Sequence, residues 1–414
     1  MRVLPSTWRP GRISDVSAKP QYGWTSSAKQ DAGGLPLLRT TDISRGPIDW
    51  SVVPRCVTSP PDPSRFLLKR NEIVVSRAGS VGLSALITDP PPSVFASYLM
   101  RLRPTKDVLP RFLALFMKSP DYWSQISEVT NGIALQNINA TKLAAVELPI
   151  PPLEEQRRIV DILEDHLSRL DAAGQLLANA RRRSELQRSM TLESLAPEGT
   201  PSRALGVLAT NSGYGTSTKC VVNGPGVPVV RIPNLSGGQV ELLDEKRVAD
   251  PAVDLTRLML EKGDLLIVRT NGSRDLIGRA AVVQPNITAS FASYLIRFRM
   301  DPSRVRPEWA RVMFGTPSVR RVLEAMAASS AGQYNLGLKK LNGVMIPLPP
   351  IQDQDRLLAV FDEQEWALGS LTRSLAAGNA KAQSLRRSLL AAAFSGRLTG
   401  RSTDIEMVEE MAGV

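Results

Sequence analysis

Apolar and polar positions follow two rhythms along the chain, and each rhythm occurs twice. Short aliphatic or β-branched segments bounded by Gly, Pro and Ser come first in each half. Ile73-Val74-Val75, Leu265-Leu266-Ile267-Val268 and the Phe-Ala-Ser-Tyr-Leu segments at 95–99 and 291–295 predict strands. Helical spacing follows over Arg111–Ile126 in one half and Glu308–Ala328 in the other. Another short apolar segment then leads to a proline cluster and a long helix. Pro152 and Pro350 suit the first turn of those helices, and Glu154, Glu155 and Asp353 complement the positive end of the helix dipole. The first helix is expected to end near Leu195, before Pro197, and the second near Phe394, before Gly396. Roughly 40 residues at about 1.5 Å each make a rod of roughly 60 Å.

Each rod carries a narrow apolar seam. Ile159, Leu163, His166, Leu170, Ala173 and Leu177 step by four and three, as do Phe361, Gln364, Leu368, Leu371 and Leu375, with Ala382, Leu385 and Leu389 further on. This is coiled-coil spacing, and a narrow seam needs a partner helix. The two helices are expected to pack on each other, antiparallel; the alternative is that each packs on its own domain. His166 and its counterpart Gln364 would then form a polar layer that sets register.

The rhythms recur because the sequence does. Tyr22-Gly23 returns as Tyr214-Gly215, Gly34-Leu35-Pro36-Leu37-Leu38-Arg39 as Gly226-Val227-Pro228-Val229-Val230-Arg231, and Asn71–Arg77 as Gly263–Arg269, all at an offset of 192. Phe95–Leu99 returns unchanged at an offset of 196, and Leu148-Pro149-Ile150-Pro151-Pro152 returns as Ile346-Pro347-Leu348-Pro349-Pro350 at 198. Offsets that change only between motifs are loop insertions in a duplicated fold. The first insertion falls near Thr270-Asn271-Gly272-Ser273-Arg274.

With 414 residues the chain needs more than one core. Hydrophobic content of 43% and charged content of 22% are ordinary for a globular protein. A net charge of +11 points to a polyanion such as nucleic acid, unless the surface is merely basic. The two cysteines, Cys56 and Cys220, have no metal-ligand spacing and fit a reducing compartment. The N-terminal residues lack a signal-peptide core and no apolar run reaches membrane-spanning length, so a cytoplasmic protein is expected. The single histidine, His166, leaves little room for His-based catalysis or metal binding.

Motifs for chemistry are missing. There is no Gly-x-x-x-x-Gly-Lys-Ser/Thr loop, and Gly213-Tyr214-Gly215 is followed by Thr218 where a dinucleotide fingerprint needs its third glycine. No Asn/Asp-Pro-Pro-aromatic motif of amino-methyltransferases is present, and the acidic residues form no clear nuclease constellation. The polar loops carry more. Ser76, Arg77 and Ser80 follow one strand, and Arg269, Asn271, Ser273 and Arg274 follow its repeat. Gln136 and Asn137 are matched by Gln333, Tyr334 and Asn335, and Arg39 and Arg231 close the repeated Gly-to-Arg segments. Arg reads guanine and Asn or Gln reads adenine bidentately, while all of them reach phosphates. These are the expected DNA-binding residues, although for any one of them taken singly a solvated turn is the commoner account.

In its architecture the chain resembles the specificity subunits of type I restriction–modification systems, over nearly its whole length. The marks are Leu148–Gln156, its repeat Ile346–Gln354, the long helix after each, and the ending Ala393-Phe394-Ser395-Gly396-Arg397-Leu398. The first repeat lacks that ending and has Met190–Leu195 instead, and an acidic stretch from Asp404 to Glu410 lies beyond it. The resemblance implies an α+β fold with two pseudo-symmetric target-recognition domains, 1–150 and 197–348. Two long helices, 151–196 and 349–400, would join them as an antiparallel coiled coil, followed by a tail at 401–414. It implies that the chain reads a bipartite site in double-stranded DNA, without catalysis or cofactor of its own. Its partners would be two methyltransferase subunits, which bind S-adenosylmethionine and modify adenine N6. Restriction subunits using ATP and Mg could join. An enzyme acting alone, or a scaffold whose charge is incidental, are the competing classes.

Overall fold

A computed structural model of the chain describes residues 4–44, 46–130, 137–330 and 332–399. Gln136 and the 401–414 tail lie outside them. Two compact units emerge: the described residues of Met1–Ala178 with Ala376–Val414, and Asn179–Leu375. Neither boundary falls at a helix end. Each unit combines one α+β domain with a piece of both long helices, which span Leu153–Ser194 and Ile351–Ala393.

In the first unit a four-stranded antiparallel sheet runs Gln21–Tyr22, Leu99–Leu102, Ile73–Ser76, Ser84–Leu86. Ile73, Val75, Met100 and Leu102 face one core, shared with Phe112 and Phe116, while Val74 and Leu99 face another with Leu38, Ile43 and Phe95. Side chains alternate between faces of a strand, so two covered faces require the uninterrupted apolar run seen in the sequence. In the second unit Leu265 and Ile267 face one core, and Leu266 and Val268 the other. Its sheet is extended to six strands by Gln239–Val240 and Leu235–Ser236.

The Phe-Ala-Ser-Tyr-Leu segments are not single strands. Val94–Phe95 pairs in parallel with Leu37–Leu38, the chain then turns at Ser97-Tyr98, and a new strand begins at Leu99. The turn pushes Tyr98, and Tyr294 in the repeat, outward with 63% and 52% exposure. The repeated Tyr-Gly pair has a steric cause. A Cβ on Gly23 would lie 2.2 Å from the Phe95 and Ala96 carbonyl oxygens, and one on Gly215 would lie 2.2 Å from that of Phe291. Only glycine allows the segment so close to the strand.

Each helical stretch after the sheet is two helices rather than one: Pro110–Phe116 and Pro120–Thr130, then Pro307–Phe314 and Pro317–Met326. Pro120 and Pro317 donate no N–H and disfavour a helical residue before them, which ends the first helix.

The repeated Gln after the proline cluster is fully buried in both halves. The Gln156 carbonyl accepts from Leu109 N–H at 2.8 Å, and its amide donates to the Asp107 and Pro151 carbonyls at 3.1 and 2.9 Å. Gln354 repeats this with Arg306 N–H at 2.8 Å and the Arg304 and Pro349 carbonyls at 3.2 and 2.8 Å. One side chain thus fastens the start of each long helix to the start of the helix after the sheet.

Within each unit the long-helix segments run antiparallel. In the first unit Leu177 lies against Gly378 and, one end further on, Asp171 pairs with Arg386. In the second, Arg188 grips Glu365 bidentately at 2.7 and 2.9 Å, while Leu192 and Leu195 share a core with Phe361 and Leu358. The seam is one residue out of phase with the sequence expectation in places. Leu167 is buried where His166 was expected, Ala173 and Gln364 are exposed, and Glu365 turns inward to meet Arg188. Neither His166 nor Gln364 thus holds a buried seam position in its own unit; period-3.5 templates tolerate either neighbour, and in the second unit the Arg188–Glu365 ion pair selects the one that faces the opposite helix.

The helix ends close the cores. Phe394, 1% exposed, sits edge-on to Phe112 and Phe116 with centroids at 5.2 and 5.4 Å, in the first unit. Leu192 and Leu195 play that part in the second, beside Val312, Met313 and Phe314.

Candidate nucleic-acid interface

The same constellation stands at the C-terminal end of the central strand in both domains. Arg77 leaves strand Ile73–Ser76 with its backbone N–H donating to the Tyr98 carbonyl at 2.9 Å and its carbonyl accepting from Ile138 N–H at 3.0 Å. Arg269 leaves Asp264–Val268 with the same bonds to Tyr294, 2.9 Å, and Leu336, 2.8 Å. The guanidinium of Arg77 lies 4.8 Å over the Tyr22 ring, and that of Arg269 lies 5.0 Å over Tyr214. Arg77 Nε donates to Asn137 Oδ1 at 3.4 Å, and an Arg269 Nη to Asn335 Oδ1 at 3.1 Å. The Tyr22 hydroxyl accepts from Ala140 N–H and the Tyr214 hydroxyl from Leu338 N–H, both at 3.0 Å.

Three segments far apart in sequence are thereby tied together at one surface in each domain. The arginine holds the tyrosine from one and the asparagine from another. Tyr22 and Tyr214 remain 39% and 44% exposed, beside the more exposed Tyr98 and Tyr294. Exposed aromatic rings around half-buried arginines and amides offer stacking surfaces, donors and acceptors together.

A second duplicated arginine holds the sheet beneath. Arg101, 1% exposed, donates to the Leu67 and Arg65 carbonyls at 2.6 and 2.8 Å and to Gln21 Oε1 at 2.5 Å, and pairs with Glu72 at 3.3 Å. Arg297 bonds the Met259 carbonyl and Asn211 Oδ1 at 3.0 Å. Burial pushes the pKa of both below the ordinary arginine value, the nearby carboxylates opposing it. Arg299, by contrast, is raised, first by its hydrogen bonds to Asp264. Among these, Arg101 fixes the strand that carries Tyr22.

The expected DNA-binding residues divide accordingly. Arg77, Asn137, Arg269 and Asn335 come together as described. Asn271 and Gln333 share an open cleft in the second unit with Arg231 and Tyr294, and Tyr334 pairs across from Asn271 in the neighbouring strand. Ser80, Ser273 and Arg274 are exposed, Arg274 beside Glu324 at 3.5 Å. Ser76 is fully buried, its hydroxyl donating to the Ala78 carbonyl at 2.9 Å, so it shapes the turn from within. Arg39 is held by Asp42 through two side-chain hydrogen bonds of 3.0 and 2.8 Å, and Arg231 by the Asp244 carboxylate at 3.0 Å. Sequence reasoning left out Tyr22, Tyr98, Tyr214 and Tyr294, although all four lie in the repeated motifs. Their repetition, without an apolar role to account for a tyrosine, was the available signal.

Among the described residues no cluster of His, Cys, Asp or Glu could hold a metal, and no helix is long and apolar enough to cross a membrane.

Two doubly covered α+β domains, each presenting the same aromatic–arginine–amide surface, make the protein a structural duplication. The family model "Type I restriction modification DNA specificity domain" matches residues 5–179. The chain is 25% identical to the type I restriction enzyme StySPI specificity subunit of Salmonella potsdam, over 96% of this chain and 90% of that one. It is 26% identical to the EcoKI specificity subunit of Escherichia coli K12, over 89% of this chain and 83% of that one. Its fold matches a chain from a structure of complex assembly in the type I restriction–modification system, with TM-score 0.74, 20% identity, and 96% and 100% of the two chains covered. Over nearly its whole length the chain is thus similar to specificity subunits of type I restriction–modification systems, and its fold is theirs.

Proposed function

We propose that the chain reads a bipartite site in double-stranded DNA, one half-site per domain, and brings two methyltransferase subunits to it. The observation that carries this reading is the duplicated constellation, Tyr22–Arg77–Asn137 with Tyr98 and Tyr214–Arg269–Asn335 with Tyr294. Two equal frameworks with different loops suit two half-sites of different sequence. Arg77 and Arg269 order the loop and keep part of each guanidinium for base or phosphate; Asn137 and Asn335 present amides to base edges. The net charge of +11 supplies attraction to the phosphate backbone. The family resemblance adds that the partners supply S-adenosylmethionine chemistry at adenine N6, and that restriction subunits with ATP and Mg join them.

Exchange of residues 1–150 for the matching domain of a relative tests this. In cells with the partner subunits, one half of the methylated motif should change and the other remain. A change in both halves refutes one domain per half-site.

A further inference from the structure

The two recognition surfaces are unequal. After Ile73–Ser76 the described residues of the first domain show the antiparallel bridge Ala78–Asn137, and in the second domain the chain after Asp264–Val268 forms Thr270–Asn271, paired antiparallel with Gln333–Asn335. Against the second domain's ribbon lies an open cleft of about 550 Å³. Ile232 and Pro233 line it together with Asn271, Arg279, Tyr294 and Gln333. Arg231 also lines it but is already held by Asp244.

Arg279 is exposed, and its side chain makes no hydrogen bond or ion pair among the described residues. Its structural counterpart is Leu83. Both follow a glycine with positive φ, Gly278 at 74° and Gly82 at 86°, whose N–H returns to the central strand, at 2.9 Å to Val268 and 2.8 Å to Ser76. A free guanidinium thus stands in the second domain where the first has an apolar side chain.

We propose that this cleft takes one purine of the second domain's half-site and that Arg279 sets its identity. This rests on the two-half-site reading above. A phosphate pocket would be lined by donors alone. Here Asn271 and Gln333 both donate and accept, as does the Tyr294 hydroxyl, and that mixture matches a base edge. Asn271 Oδ1 accepts from Ser273 N–H at 2.7 Å, which leaves its amide hydrogens for the cleft. The arginine fork fits guanine O6 and N7, and the amides fit adenine N6 and N7.

The test uses the full chain with its methyltransferase partners and a map of methylated sites in the genome. Arg279→Ala should relax one purine position in the second domain's half-site, lowering the preference for that base roughly 10- to 100-fold. The first half-site should be unchanged, and Arg279→Lys should restore the preference only in part. An intact motif overturns the proposal, whether methylation is unchanged or weakened alike at all sites, the latter marking a phosphate contact. If the Ala variant methylates too little to map, gel-shift affinities of the complex for fragments differing at single half-site positions decide it. Equal discrimination by wild type and variant at every position overturns it. Exchange of residues 197–348 separates the two failures. If that exchange moves one half-site while Arg279 has no effect, only the cleft proposal falls; if it moves neither or both, the two-half-site reading falls.

Discussion

Truncating Phe394 to alanine should loosen the first recognition domain, although the residue stands near the other end of the chain. Its ring is 1% exposed and meets Phe112 and Phe116 edge-on at 5.2 and 5.4 Å. Deleting a buried phenylalanine costs about 3–5 kcal/mol, and edge-to-face pairs account for about 0.5–1.5 kcal/mol each of such a loss. Against the roughly 5–15 kcal/mol that holds a typical domain together, this is about a fifth or more. Native-state hydrogen exchange of the full chain, read peptide by peptide, measures it in place. Amides of Ile73–Ser76 and Leu99–Leu102, which share the Phe394 core or its sheet, should exchange on the order of 100- to 1000-fold faster, at about 1.4 kcal/mol per decade. Amides of Asp264–Val268 and Leu295–Met300, built on a separate core, should keep their rates. Equal loss in both sheets, or a change confined to the last turn of the helix, would refute the assignment of Phe394 to the first domain's core.

Three further outcomes follow from the geometry. Gln354→Ala leaves Arg306 N–H and two carbonyls without their buried partner and should cost about 2–4 kcal/mol by denaturant unfolding, whereas Gln352→Ala, exposed two positions earlier, should cost under about 0.5 kcal/mol; equal costs would remove the glutamine from its fastening role. Tyr22→Phe removes the acceptor for Ala140 N–H but keeps the ring under Arg77, so methylation of the first half-site should weaken less than with Tyr22→Ala; the reverse order would show that the hydroxyl rather than the ring supports Arg77. Four residues inserted after Ala180 add about one turn, roughly 6 Å, near two base pairs at about 3.4 Å each; the spacer between half-sites should lengthen by about one or two base pairs, and an active variant with an unchanged spacer would show that the helices tether the domains without measuring their separation.

Much of this was legible in the residues. The duplication, the uninterrupted apolar strands and the two long helices all left periodic or repeated signals, because buried faces and helix starts tolerate few side chains. Helix ends were placed within about two residues because Pro197 and Gly396 punctuate them. Three features escaped. Pro120 and Pro317 divide a stretch whose periodicity runs on across the break. The seam phase depends on which neighbour meets the opposite helix, and Arg188–Glu365 decides that only in three dimensions. Tyr98 and Tyr294 fell within segments read as strands; a two-residue turn at Ser97-Tyr98, and its repeat at Ser293-Tyr294, exposes them, and no local pattern distinguishes that turn from a continuing strand. Arg77 and Arg269 were legible as paired positions, but not that each bridges a tyrosine and an asparagine.

The most direct test of two matched recognition surfaces is a genome-wide map of methylated adenines in cells carrying the partner subunits with wild type, Arg77→Ala or Arg269→Ala. A bipartite motif is predicted for the wild type. Each arginine variant should relax or lose one half-site only, a different half for each, with an effect on the order of 1–3 kcal/mol. A single undivided motif, or the same half altered by both variants, would contradict the account.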